Sequence, residues 1–310
     1  MKRKPVSYAI TGLCMLIVLL AVYIIIHGVA PRTRKVSAQI DPRHTTSTVR
    51  AHSNTTSSAG NTLKTDKNKR PVAVVLPTNQ KIAYLTFDDG PSENTPRLLK
   101  ILEKEHVKAS FFVVANSHNT VQARLWIGME AAAGNTVGIH SFTHKYSYIY
   151  SSERNFLDDF DAMKAMIVQA TGIEPIFCRF PGGTNNTVSL RYHNGIAIMP
   201  KLIADVQAQG ITPVDWNAGA VDATIPVPDR QTIVNDVVEQ CRYLKKAVIL
   251  LHDSSPHLSS VEAVPEIVER LQEMGFVFEP LTQSVQAVTF KPAGSRTVKD
   301  FYKNTALVRK

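Results

Sequence analysis

From residue 81 onward the chain alternates short apolar runs, rich in β-branched and aromatic residues, with longer stretches of helical periodicity. No other feature limits its fold so tightly. Lys81 to Phe87 reads as a strand, Thr95 to His106 as an amphipathic helix through Leu98, Leu99, Ile101 and Leu102, and Ala109 to Val114 as a second strand. The series continues with a helix over 121–133, a strand over 136–139, a helix over 155–171 and a strand over 176–180. Next come a helix over 199–209, a strand over 211–215, a helix over 231–244, a strand over 247–251, a helix over 261–274 and a strand over 276–278. Repeated βα units of this length build a parallel sheet, either open and doubly wound or closed into a barrel. In both, ligands bind at the carboxyl ends of the strands, so chemically suggestive residues should follow strands.

They do. The first strand ends in Thr86-Phe87-Asp88-Asp89-Gly90-Pro91. Adjacent carboxylates at the end of a buried strand repel one another unless a cation, a proton or a donor compensates. Strand side chains alternate, so one of the two can ligate a metal while the other stays free as a base. An N-cap pair before the helix at Thr95 is the structural alternative. His140-Ser141-Phe142-Thr143-His144 follows the third strand. Histidines four apart can share one side of a helical turn, and with a carboxylate from another strand end they make a two-His, one-Asp set that leaves positions open. Arg179-Phe180-Pro181-Gly182-Gly183 follows the fourth strand, Asp215-Trp216 the fifth, and Leu250-Leu251-His252-Asp253 the sixth. Singly, His252 reads as a hydrogen-bonded core histidine, Arg179 as a surface ion pair and Asp215 as a helix cap. Jointly, polar residues at successive strand ends argue for one site. Asp253 reads as a turn former, and His27, His44, His52, His106, His118, His193 and His257 as solvent or tether residues.

In this order the five segments resemble the polysaccharide deacetylases with the NodB homology domain, carbohydrate esterase family 4, over residues 81–285. The resemblance implies an α/β fold, a distorted (β/α) barrel with seven units. It makes Asp88 the catalytic base, and Asp89, His140 and His144 the ligands of one divalent ion, with zinc as the first choice and cobalt or another ion as alternatives. It also makes Arg179 the partner that orients Asp88, His252 the general acid and Asp215 the residue that holds His252. Trp216 and Leu250 become walls of the acetyl pocket, with Pro181 and Gly182 beside the substrate. Gly182 stands where many relatives carry Tyr in an Arg-x-Pro-Tyr-Gly form. Glycine still offers a backbone N–H to an oxyanion, but any sugar contact from an aromatic ring there is lost. The implied partner is an acetylated glycan, first the N-acetylglucosamine of peptidoglycan. Muramic acid residues, chitin oligomers and xylan are alternatives, and a non-catalytic glycan-binding protein of the same fold is the rival reading.

The rest of the chain bears on location. Residues 1–80 hold 12 Lys or Arg against 2 Asp or Glu, whereas the remainder holds 23 against 24. A folded part so nearly neutral gives no support for nucleic-acid binding. Between Lys4 and Arg32 no residue is charged, and about 20 apolar residues suffice to span a bilayer as a helix. The expected organisation is a cytoplasmic basic stub over 1–7 and an uncleaved signal anchor over 8–30. A flexible basic linker over 31–80, the deacetylase-like domain over 81–285 and a tail over 286–310 follow. This places the chain in a bacterial membrane with the domain outside. A signal peptide cleaved after Gly28 and Ala30 is the competing reading, and it would make the protein secreted. Cys178 and Cys241 sit in apolar surroundings and read as two small buried hydrophobes, with a single disulfide between them as the alternative.

Overall fold

The computed structural model describes residues 80–115, 120–285 and 287–292. The expected anchor, nearly all of the linker and most of the tail lie outside the described residues. Among those described, no helix is long and apolar enough to cross a membrane. The strands are β1 (Lys81–Asp88), β2 (Ala109–Val114), β3 (Thr136–Ser141), β4 (Phe177–Cys178), β5 (Thr212–Pro213), β6 (Ala218–Gly219), β7 (Lys246–His252) and β8 (Phe276–Phe278). The longer helices are α1 (Thr95–Lys104), α2 (Thr120–Ala132), α4 (Glu153–Thr171), α6 (Met199–Ala208), α7 (Arg230–Cys241) and α8 (Leu258–Glu273). Two short helices, α3 (Tyr146–Ile149) and α5 (Val188–Tyr192), complete the set. All the long elements were expected from periodicity. β6, α3 and α5 were not, because two to five residues are too few to show a period.

Every strand pairing is parallel, in the order β5-β4-β3-β2-β1-β7-β6. β1 is the centre. Along one edge it pairs with β7 from Ile82 to Asp88, and along the other β8 takes Lys81 to Ala83 while β2 takes Leu85 to Asp88. The sheet curls into a half-barrel whose end strands β5 and β6 do not pair. Residues 214–217 cross that opening. Val214 N–H donates to Cys178 O at 2.8 Å, and Asn217 N–H donates to Val248 O at 3.1 Å. The expected parallel barrel is therefore present in its strand direction, but it has eight strands where seven were expected, β6 being the addition, and it is left open at one seam.

The alternation of β1 decides what each residue does. Ala83, Leu85 and Phe87 face the helices in the main core, while Tyr84 joins Phe112, Phe177, Val214, Val248 and Leu281 in a second cluster inside the curl. Phe87 stacks on Phe111 with ring centroids 5.5 Å apart, and burial of each such ring contributes roughly 1.5–3 kcal/mol. Thr86 and Asp88 share the inner face with Tyr84, so a strand anchored by its apolar side carries a carboxylate to the open end of the curl. Helix α4 shows the complementary logic. Ser152 caps it by accepting from Asn155 N–H, Gly172 closes it at φ 71°, and its buried stripe runs Phe156, Asp159, Phe160, Met163, Met166, Ile167. One member of that stripe is a carboxylate, which bears on the site below. Cys178 and Cys241 are buried and unpaired, as their surroundings suggested.

Candidate active site

Asp88 ends β1 with 3% of its surface exposed, and Arg179, 1% exposed, lies directly on it. Arg179 Nη1 donates to Asp88 Oδ1 at 2.8 Å and to Thr86 Oγ1 at 2.8 Å, its Nε donates to Val214 O, and its Nη2 donates to Asp215 O. The guanidinium also lies 4.2 Å over the Phe112 ring. Arg179 is thus fixed on every side, and a buried ion pair is tolerable only when its spare donors are satisfied in this way. The surface-ion-pair reading of Arg179 does not hold.

Asp89, His140 and His144 converge beside it. Asp89 Oδ1 is 3.2 Å from His140 Nε2 and 3.1 Å from His144 Nε2. Two donors each about 2.1 Å from a tetrahedral ion stand about 3.4 Å apart, so the set matches a metal centre. Asp89 Oδ1 is buried without a hydrogen-bond donor, which a cation would remedy. His140 Nδ1 lies 2.7 Å from Arg179 O. A carbonyl only accepts, so Nδ1 carries the proton and Nε2 presents its lone pair to the centre. Burial alone would raise the Asp89 carboxyl, but the close approach of His140, with the charges of His144 and His252, holds it well below the usual carboxylate range. Burial lowers His144, whereas His140 is raised by Asp88 and Asp89 against the effect of burial.

The two histidines do not share a helical turn. His140 belongs to β3, and His144 reaches the same point through a turn in which it adopts φ 52°; Asp89 adopts φ 66°. Left-handed backbone at non-glycine residues costs energy and persists where surroundings enforce it. For His144 the enforcing group is Asp159, from the buried stripe of α4. It accepts from Ser141 Oγ at 2.6 Å, Phe142 N–H at 2.7 Å, Thr143 N–H at 2.8 Å and Thr143 Oγ1 at 2.6 Å, while Ser141 Oγ accepts from His144 N–H. Sequence reasoning missed Asp159. Its position in the apolar stripe of a helix was the available signal.

His252 ends β7 opposite Asp88, and its holder is Asp222 rather than Asp215. Asp222 Oδ1 accepts from His252 Nδ1 at 2.9 Å, and Asp222 Oδ2 accepts from His252 N–H and from Ser260 Oγ. Nε2 therefore faces the site. Burial works against charge on His252, but the hydrogen bond and charge of Asp222, with Asp88 and Asp89, raise it to about 9. Asp215 is committed elsewhere. Its carboxylate accepts from Thr184 N–H at 3.0 Å, Thr184 Oγ1 at 2.5 Å and Phe290 N–H at 2.7 Å, and its own N–H donates to Val288 O. The physical reason is position: Asp215 lies in the crossing between β5 and β6, whereas Asp222 follows β6, the strand that pairs with β7. His257, expected to be a solvent residue, is buried and stacks on His252 with centroids 5.0 Å apart. His193 is half-buried against Ser151 O.

Asp88, Asp89, His140, His144 and His252 line one cavity of about 340 Å³, together with Tyr146, Gly182, Trp216, Ala223 and Leu250. Pro181 is buried outside it, and its carbonyl accepts from Tyr150 OH at 2.7 Å. Asp253 is not a simple turn former. It is fully buried, accepts from Thr95 Oγ1 at 2.5 Å, and a Cβ on Gly90 would fall 2.1 Å from its Oδ1, so only glycine fits at position 90. Burial pushes the Asp253 carboxyl up to about 7, and the charge of Asp89 adds to this against the Thr95 hydrogen bond and His252.

The family model described as polysaccharide deacetylase matches residues 76–198. A peptidoglycan-N-acetylglucosamine deacetylase of Bacillus cereus is 30% identical over 218 residues, covering 70% of this chain and 75% of that protein. A peptidoglycan-N-acetylmuramic acid deacetylase of Bacillus subtilis is 28% identical over 231 residues, covering 72% of this chain and 44% of its own length. The crystal structure of the catalytic domain of a peptidoglycan N-acetylglucosamine deacetylase from Eubacterium rectale superposes with a TM-score of 0.65 at 38% identity, over 72% of this chain and 98% of that domain. Sequence motifs, sheet and likeness agree: the chain belongs to the polysaccharide deacetylases of the NodB homology type, carbohydrate esterase family 4, and is a hydrolase of N-acetyl amide bonds.

Proposed function

We propose that this chain removes acetyl groups from N-acetylglucosamine residues of peptidoglycan in a metal-dependent hydrolysis that releases acetate. The observation that carries the reading is the convergence on one cavity of a carboxylate fixed by Arg179, a histidine fixed by Asp222, and three metal-type ligands. Asp89, His140 and His144 would hold one divalent ion, zinc by the nitrogen-rich donor set, with cobalt or another divalent ion as alternatives. When bound, such an ion supplies polarisation of the acetyl carbonyl and acidification of water.

The chain's own residues supply the remaining steps. Asp88, oriented by Arg179, accepts the proton of the attacking water. The Gly182 N–H donates to no protein atom among the described residues and is available to the oxyanion. His252, charged at neutral pH, donates its Nε2 proton to the departing amine nitrogen, while Asp222 keeps the Nδ1 proton in place. No covalent nucleophile is required.

The choice of N-acetylglucosamine is supported by the chain's likeness to N-acetylglucosamine deacetylases in both sequence and structure. Acetate release by the purified full-length chain from peptidoglycan, N-acetylglucosamine oligomers and acetylated xylan tests it. Release from the first two supports the proposal, and activity confined to xylan or to muramic acid residues contradicts it. From the sequence alone we also assign residues 8–30 as a membrane anchor with the catalytic domain outside a bacterial cell. Retention of the chain in membranes after an alkaline carbonate wash is expected, and its release would overturn the anchor.

A further inference from the structure

The cavity is graded in depth. Asp88, His140 and His252, 3%, 6% and 7% exposed, form its floor, while Tyr146, His144, Trp216 and Leu250 are half-buried and Gly182 and Ala223 are open to solvent. An acetyl group attacked at the floor leaves its sugar at the level of the half-buried residues, because the polymer must leave through the mouth. Two aromatic rings stand at that level, Trp216 and Tyr146.

Tyr146 has a defined place there. It opens α3 two residues after His144, and its ring meets the His144 ring edge-on at 5.4 Å and the Tyr150 ring at 5.8 Å. The phenol end lies over Gly182: a Cβ built on that glycine would stand 3.4 Å from Tyr146 Oη and 3.5 Å from Cε1. A Cβ at 182 would thus make ordinary contact with the phenol, its tighter neighbour being Asn186 Cβ at 3.2 Å, so the Tyr146 hydroxyl stands beside the open position at 182. Gly182 itself adopts φ 79°, a conformation that favours glycine. The Tyr146 hydroxyl makes no hydrogen bond to the described residues, whereas that of Tyr150, one turn on, is committed to Pro181 O. A phenol is protonated at neutral pH and offers both a donor and an acceptor. An apolar ring with a polar tip beside an open rim suits the mixed surface of a saccharide.

We propose that Tyr146 is a sugar-binding residue of this site, its phenol hydrogen-bonding a hydroxyl or ring oxygen of the acetylated saccharide at the mouth of the cavity beside Gly182. This rests on the deacetylase reading above.

The test is binding of an N-acetylglucosamine tetramer, by calorimetry with zinc present, to full-length Asp88→Asn and to Asp88→Asn with Tyr146→Phe. One neutral hydrogen bond is worth about 0.5–1.5 kcal/mol, so the second protein should bind about two- to thirteenfold more weakly at an unchanged melting temperature. With Asp88 intact, Tyr146→Phe should raise KM for the tetramer by the same factor and affect hydrolysis of 4-nitrophenyl acetate, which has no sugar, less than that. Equal affinity of the two proteins, or no binding by either, overturns the assignment. Equal losses on the ester and the tetramer also overturn it, because the phenol would then act on the reacting centre. If the intact enzyme releases no acetate from any glycan, the deacetylase reading fails separately, and the binding comparison still decides the role of Tyr146.

Discussion

Asp88 and His252 are cross-strand neighbours, the last residues of β1 and β7, which run parallel in unbroken register from Ile82 and Lys246. The distance between the proposed base and acid is therefore set by the sheet and not by loops. A site mounted on paired strands needs only side-chain restraints, which Arg179 and Asp222 provide from either side.

The restraint on His252 has a signature in pH. The acid must be protonated, so kcat/KM should fall as pH rises through about 9. Asp222→Asn removes the charge that raises His252, so this fall should move down toward the ordinary histidine value near 6.5, with a loss of activity that grows between pH 7 and 9. Asp215→Asn, which lacks contact with His252, should leave the alkaline limb in place. Profiles of kcat/KM for the three proteins decide between the two aspartates.

Asp159 touches neither the proposed metal ligands nor the cavity, yet it fixes the backbone between His140 and His144. Removing such outer support typically weakens metal affinity about 10–100-fold. Asp159→Ala should bind zinc at least about tenfold more weakly than the parent chain in a competition with a chromophoric chelator, with unchanged affinity as the contrary result.

The legibility of this chain in its sequence divides along physical lines. Asp88, Asp89, His140, Arg179 and His252 were readable because each ends or follows an apolar run, and parallel strands gather their ends at one place. Asp222 was not, since β6 before it is two residues long and gives no apolar run to mark a strand end. Trp216 does reach the cavity, but its neighbour Asp215 is taken by Thr184, Val288 and Phe290. Those last two residues lie beyond the boundary expected at 285, in a stretch too short and mixed to read as domain. The left-handed turns at Asp89 and His144 were hidden as well, because no glycine announces them.

Phe290 packs edge-on against Trp216 with centroids 5.1 Å apart, and such pairs contribute about 0.5–1.5 kcal/mol. Phe290→Ala should loosen the Trp216 wall and raise KM for a glycan oligomer several-fold, with kcat reduced less. Phe290→Tyr should restore the parent value. A fall in kcat alone would show that the ring acts elsewhere.

Asp253 bears on stability. Its folded carboxyl is raised to about 7 from an ordinary 3.8, so the folded chain binds that proton more tightly than the unfolded chain does. The resulting stabilisation is whole below about pH 4 and is lost as pH rises through about 7. Asp253→Asn should therefore lose less stability than the parent between pH 5 and pH 8, as read from urea midpoints at each pH.

The most direct measurement is acetate release from purified peptidoglycan by the full-length chain before and after chelation, with zinc restored, beside Asp88→Asn. The account predicts release that disappears on chelation, returns with zinc and is lost by at least about a hundredfold in Asp88→Asn. Release that persists without metal, or that survives in Asp88→Asn at parent rates, would contradict it.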